Sequence, residues 1–157
     1  MTVKKRVPPK RASSALSRRC HSPGAPVPSS GHERQDPQLV EGIALYNHRR
    51  FFECHEVLEQ RWLQTTDASK DFYKGLIQAA VAFYHWSRGN LPGALTLARS
   101  AARYLKRYRP ACAGVDVEGF LTQFTELFQW LRRHRQRYDP RLVPAIRFVA
   151  SRSVTQS

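Results

Sequence analysis

The chain has 157 residues, 26 of them Lys or Arg against 12 Asp or Glu, and a formal charge of +14. That length predicts one domain with enough residues for a hydrophobic core, plus a tail. It contains no apolar run of membrane-spanning length and no leader with an apolar h-region, which argues against a membrane-embedded helical protein and a secreted precursor.

Residues 1–36 are rich in Pro, Ser, Arg and Lys, have almost nothing to bury, and are predicted to be a disordered basic tail. Residues 1–37 hold eight of the 26 basic residues and two acids, Glu33 and Asp36. The lack of any acid before Glu33 also fits an organelle transit peptide, which would make the protein organellar. The closely spaced prolines near residues 8–9 and 23–28 interrupt an amphipathic helix and favour a plain tail. Cys20, Cys54 and Cys112 lie far apart without CxxC spacing, so neither a disulfide framework nor a zinc ribbon is expected. A reducing, cytoplasmic compartment follows.

Asp36-Pro37 opens the fold as an N-cap followed by proline at the first helical position. The first helix is predicted from about Pro37 to Asn47, with Leu39, Ile43 and Tyr46 on one stripe. The second runs from about Arg50 to Gln64, and Thr65-Thr66-Asp67 is a loop. The third begins near Ser69 and ends at Gly89. Asn90 caps a fourth, which reaches Tyr108 and is stopped by Pro110. Asp116 caps a fifth, whose Phe120, Phe124, Leu127, Phe128 and Leu131 form one apolar face. Asp139-Pro140 starts one further short turn. No alternating strand pattern is present. The expectation is therefore an all-α fold, a compact bundle of about five helices built from helical hairpins. The helical domain spans residues 37–138, and 139–157 form a short C-terminal extension. Two segments, ALYNHRRFFECHEVLE and AFYHWSRGNLPGALTLA, echo one another after one gap. The second resembles a tetratricopeptide-type helical hairpin.

On a helical wheel the second helix places Leu58, Phe51, Trp62, His55, Glu59 and Phe52 in one contiguous stripe. His55 and Glu59 sit at its centre, Glu56 at its margin, and Glu53 toward the polar side. A carboxylate buried among Phe and Trp needs a partner. In the third helix, Gln78 and His85 share a face with Ala82, so the two histidines and Glu59 are expected to converge between these helices.

The pattern F-x-E-x-H-E-x-x-E-x-x-W within residues 51–62, followed by GLIQ at 75–78, His85 and GNLPGA at 89–94, resembles the family known as domain of unknown function 309. The likeness covers residues 38–131. It implies an all-helical fold and carries no established activity, so it assigns no catalytic residue.

Three readings follow. Inward Glu and His from facing helices build metal sites in bundles, which makes His55, Glu59 and His85 candidate metal ligands. With Glu56 and Gln78 they are equally candidate contacts for a small anionic ligand, with the His–Glu pair as general base. HExxE occurs once, whereas di-iron bundles use ExxH twice and zincins need HExxH. No nucleophile stands out and Cys54 reads as a packing residue, so enzymatic activity and cofactor stay unassigned. Alternatively the protein is a basic interaction module. Residues 38–157 hold 18 basic and 10 acidic residues, and are basic without the tail. Arg103, Arg107, Arg132, Arg133 and Arg135 are candidate contacts for RNA or an acidic protein, with Tyr104 and Tyr108 interleaved among them. In the third reading the polar core is purely structural. No membrane partner is expected.

Overall fold

The computed structural model describes residues 35–150. Of the expected disordered tail, residues 1–36, all but Gln35 and Asp36 lie outside the described residues, as does the chain beyond residue 150. The described part is an all-α bundle of α1 (Pro37–Asn47), α2 (Phe51–Gln64), α3 (Lys70–Ser87), α4 (Leu91–Leu105) and α5 (Val117–His134). Among the described residues no helix is long and apolar enough to cross a membrane.

The helix starts follow from side-chain caps. The Asp36 carboxylate accepts from the N–H groups of Gln38 and Leu39. Asn90 accepts from Gly93, and Asp116 from Gly119, each through its side-chain oxygen. Such caps satisfy donors that have no partner within the helix. Regular α4 stops at Leu105, and a 3-10 turn, Lys106–Tyr108, completes the predicted reach.

The internal echo is realised in the two hairpin turns. Arg49 and Gly89 both take left-handed φ values, 65° and 79°. In the first turn Arg49 N–H donates to the Tyr46 carbonyl and Arg50 N–H to that of Leu45. In the second, Gly89 and Asn90 do the same to Trp86 and His85. Glycine relieves the steric cost of that geometry in the second turn. In the first, the Arg49 guanidinium donates to the carbonyls of Asn47, Pro140 and Val143, which holds the residue in place.

The apolar face of α3 is the centre of the core. Phe83 is fully buried and meets Phe51, Tyr46, Phe124 and Phe128 at ring-centroid distances of 5.2–5.8 Å. Buried Ala79, Ala80 and Ala82 on α3 and Ala94, Ala98 and Ala101 on α4 are small, which suits close helix approach. Residues after α5 fold back onto this body. Tyr46 Oη–H donates to the Pro144 carbonyl at 2.9 Å, and the Asn47 side chain both donates to and accepts from the Ile146 backbone. Val143 and Ile146 are buried.

One element adds to the predicted helices. A two-stranded antiparallel hairpin, β1 (Ala111–Cys112) and β2 (Val115–Asp116), precedes α5. Its turn residues, Ala113 and Gly114, have φ of 50° and 77°, the backbone that a tight two-residue hairpin needs. Strands of two residues are too short to carry an alternating pattern.

Candidate functional site

The buried stripe of α2 is Phe51, Cys54 and Leu58. It lies about 80° around the helix from the expected one. Phe52 and Leu63, which pulled the expected stripe toward His55 and Glu59, are 50% and 65% exposed. The true contact faces are set by α1 and α3. At Gly42 the missing side chain lets Leu58 pack directly on the α1 backbone.

His55 and Glu59 therefore stand near the surface, contrary to the expected burial. Their side chains are 28% and 49% exposed, with Nε2 and Oε2 3.7 Å apart. His55 packs beside Phe52, whose ring leans on Tyr84. Glu56 is exposed. His85 is engaged at the end of α3: its Nδ1 meets Asn90 Nδ2 at 3.0 Å and buttresses the turn into α4. Gln78 is half-buried, and its Oε1 has no hydrogen-bond partner among the described residues. No hydrogen bond thus joins that oxygen to His55 or His85. Among the described residues no three His, Cys, Asp or Glu side chains form a metal-holding group. The expected convergence of His55, Glu59 and His85 on a metal is absent from the geometry.

Cys54 is buried and its thiol is pushed up to about 12 by that burial, which leaves it a packing residue at neutral pH. Nor is the GNLPG turn open to an anion at Gly93, since Asn90 already occupies that N–H.

A polar network that the wheel did not anticipate lies at the start of α1. Asp36, besides capping, pairs with Arg61, whose Nη1 donates to Thr65 Oγ1 at 2.9 Å. Tyr73 Oη lies 3.5 Å from Asp36 Oδ2, and burial first, then the Asp36 charge, raises the phenol to about 12. Burial pushes the Asp36 carboxyl up, but the Arg61 hydrogen bond and the Leu39 and Gln38 amides outweigh it and hold the group below the usual carboxylate range. This network ties α1, α2 and α3 together and has a structural role.

An open cleft lies between α4 and α5. Two adjoining clefts of about 530 and 620 Å³ share Arg99, Ala102, Thr125 and Gln129, and so form one groove. Its floor is apolar, with Leu95, Ala98, Ala102, Leu121, Phe124 and Phe128. Its walls carry Arg99, Arg103, Lys106, Arg109, Arg132 and Arg133 against one acid, Glu126. Arg109 pairs with Glu118 at 3.6 Å, while among the described residues the other five have no ion-pair partner.

Of the polyanion candidates, Arg103, Arg132 and Arg133 line this groove. Arg107 instead faces Asp71 at 3.6 Å. Arg135 ends α5 with a left-handed φ of 48° and lines a separate cleft with Trp86 and Tyr138. The tyrosines do not form an exposed strip. Tyr108 is buried and donates to the Ala68 carbonyl, and half-buried Tyr104 lies under Lys74. Arg99 was not singled out from the sequence. Its spacing, four residues before Arg103 and seven before Lys106, is the signal for one helix face.

Comparison with known proteins places these features in context. The segment 39–97 matches the model of a family described as "Domain of unknown function (DUF309)". An uncharacterized protein, YpuF, of Bacillus subtilis (strain 168) is 42% identical over 71 residues, which cover 45% of this chain and 41% of that protein. An uncharacterized protein of Aquifex aeolicus (strain VF5) is 36% identical over 61 residues, 38% of this chain and 18% of that one. The chain thus spans less than half the length of either relative. No solved structure matches. From α1 to the middle of α4, over residues 39–97, the chain resembles the DUF309 family.

Proposed function

We propose that this protein is a helical interaction module whose α4/α5 groove binds an acidic protein segment. The observation that carries this reading is the charge of the groove walls: six basic side chains, five without an ion-pair partner among the described residues, face one acid across an apolar floor. Apolar contacts supply most of the gain when surfaces associate, and the basic walls select an acidic occupant and speed encounter. Residues 1–34 carry eight Lys and Arg against Glu33 alone, so that segment is not an acidic occupant.

An acidic protein fits the groove better than RNA does. Binding of single strands uses exposed aromatic faces between the cations. Here the aromatics of the floor, Phe124 and Phe128, are buried, and Tyr108 is turned into the core.

The test is fluorescence anisotropy with a labelled acidic amphipathic peptide and, in parallel, a single-stranded RNA. Arg99→Glu combined with Arg103→Glu is expected to weaken the peptide at least tenfold, and raised salt to weaken it for the intact groove. Unchanged peptide binding in that variant, or RNA binding more tightly than any acidic peptide, would overturn the reading.

A further inference from the structure

The exposed side of α2 carries a feature that its role in the core does not explain. Phe52, Glu56, Glu59 and Leu63 are spaced i, i+4, i+7 and i+11, which lines them up on one face of the helix. All four are exposed: Phe52 at 50%, Leu63 at 65%, the Glu59 side chain at 49%, and Glu56 likewise in the exposed class. Two large apolar side chains thus bracket two carboxylates on the surface. With Glu53, Glu56 and Glu59 against Arg61, α2 is the most acidic of the five helices. Glu53 is committed to Arg50 at 3.0 Å, Glu59 has only the loose contact with His55, and Glu56 has no ion-pair partner among the described residues.

We infer that this α2 stripe docks in the α4/α5 groove of a second copy of the chain. The inference rests on the groove reading above and names its occupant. Charge is complementary, because the two carboxylates of the stripe would meet Arg99 and Arg103 in the middle of the basic wall. Chemistry is complementary for the apolar residues too, since Phe52 and Leu63 would leave water for the partly exposed Leu95 and Ala102 of the groove. Length matches as well. The eleven-residue step from Phe52 to Leu63 rises about 16 Å, and the twelve-residue step from Leu121 to Arg133 along the groove about 18 Å. The high net charge of both copies opposes approach, but at physiological salt it is screened beyond about 8 Å, and the contact itself is between unlike charges.

The contact joins unlike surfaces. It makes closed dimers if two such contacts are satisfied reciprocally, and larger assemblies if they are not. One helix in one groove falls at the small end of specific interfaces, so a weak, concentration-dependent association is expected.

Sedimentation of the full chain at concentrations up to about 0.5 mM tests this. Self-association is expected in wild type and should be lost in a Glu56→Arg/Glu59→Arg variant. It should also be lost in an Arg99→Glu/Arg103→Glu variant. Mixing the two should restore a complex, because the reversed stripe then meets the reversed groove. All four positions are exposed, so circular dichroism should show both variants folded. A monomeric wild type, or association that neither variant changes, or a mixture that stays monomeric, would overturn the inference. If the wild type is monomeric but the acidic peptide still binds through Arg99 and Arg103, only the self-docking falls and the groove reading stands. If the peptide also fails, both fall.

Discussion

Replacing Gly42 by alanine sets two effects of opposite sign against each other. Alanine in a helix interior gains about 1 kcal/mol over glycine from propensity alone. Its Cβ, however, would lie 2.5 Å from Leu58 Cδ2 and 2.7 Å from Leu58 Cγ. Leu58 is 1% exposed and walled in by the core, so it has no free volume to swing into. Overpacking a filled core costs about 1–3 kcal/mol. The clash should therefore cancel the propensity gain or exceed it, for a net loss of up to about 2 kcal/mol, which lowers Tm by as much as several degrees in a domain of this size. Urea and thermal melts measure it. The internal control is the same change in a Leu58→Ala background, where the obstructing atoms are gone. There Gly42→Ala should be neutral or stabilising by up to about 1 kcal/mol, a coupling that appears only between residues in contact. A single Gly42→Ala variant stabilised by the full propensity gain of about 1 kcal/mol would refute the close passage of α1 over α2.

Three further outcomes follow. Asp36→Ala removes a helix cap and the partner of Arg61, and should cost about 1–3 kcal/mol; because the native carboxyl sits below its usual range, that stabilisation is present above about pH 4 and lost as pH falls through the lowered native value, so the gap to wild type in urea melts at pH 6 and pH 3 should shrink on acidification. Cys54 should react with a thiol reagent at neutral pH only as the protein unfolds, since its thiol is both buried and pushed up to about 12; fast stoichiometric labelling of the native protein at this residue, read by mass spectrometry, would contradict that. Glu59→Ala should change stability by no more than about 1 kcal/mol, as expected for a loose surface pair, and chelator should not alter its melt; a loss above about 2 kcal/mol would return the residue to the interior.

The helices could be read from the sequence because their determinants are local. Asp36, Asn90 and Asp116 each cap within three residues, and the Phe120, Phe124, Phe128 and Leu131 face of α5 is buried as its spacing predicts. What could not be read is non-local. Tyr46 and Asn47 reach Pro144 and Ile146 about a hundred residues away, and no spacing rule links such positions. The hairpin at Ala111–Asp116 escaped for a different reason. Its strands are two residues long and are held partly by the returning chain, with Asp116 N–H donating to Arg147 and Val149 N–H to Gly114.

The candidate site shows the same division. Periodicity correctly marked α2 as a helix with too many polar residues for an ordinary core face. It could not supply the phase, because a wheel orients a helix by its own apolar residues and takes exposed Phe52 and Leu63 as votes for the interior. Neighbouring helices decide phase, and here Gly42 on α1 admits Leu58 and turns the stripe away from His55. The error was systematic: apolar residues meant for another surface look, in sequence, like apolar residues meant for the core. The same holds in reverse for the groove. Arg99, Arg103 and Lys106 share a face of α4 by spacing alone, but only the α5 residues laid beside them, Arg132 and Arg133 with Phe124 and Phe128, turn that face into a charged wall above an apolar floor. A helix bearing exposed Phe and Leu around two carboxylates, and a groove bearing the opposite charge over buried Phe, are each anomalous for a lone bundle, and each removes the anomaly of the other.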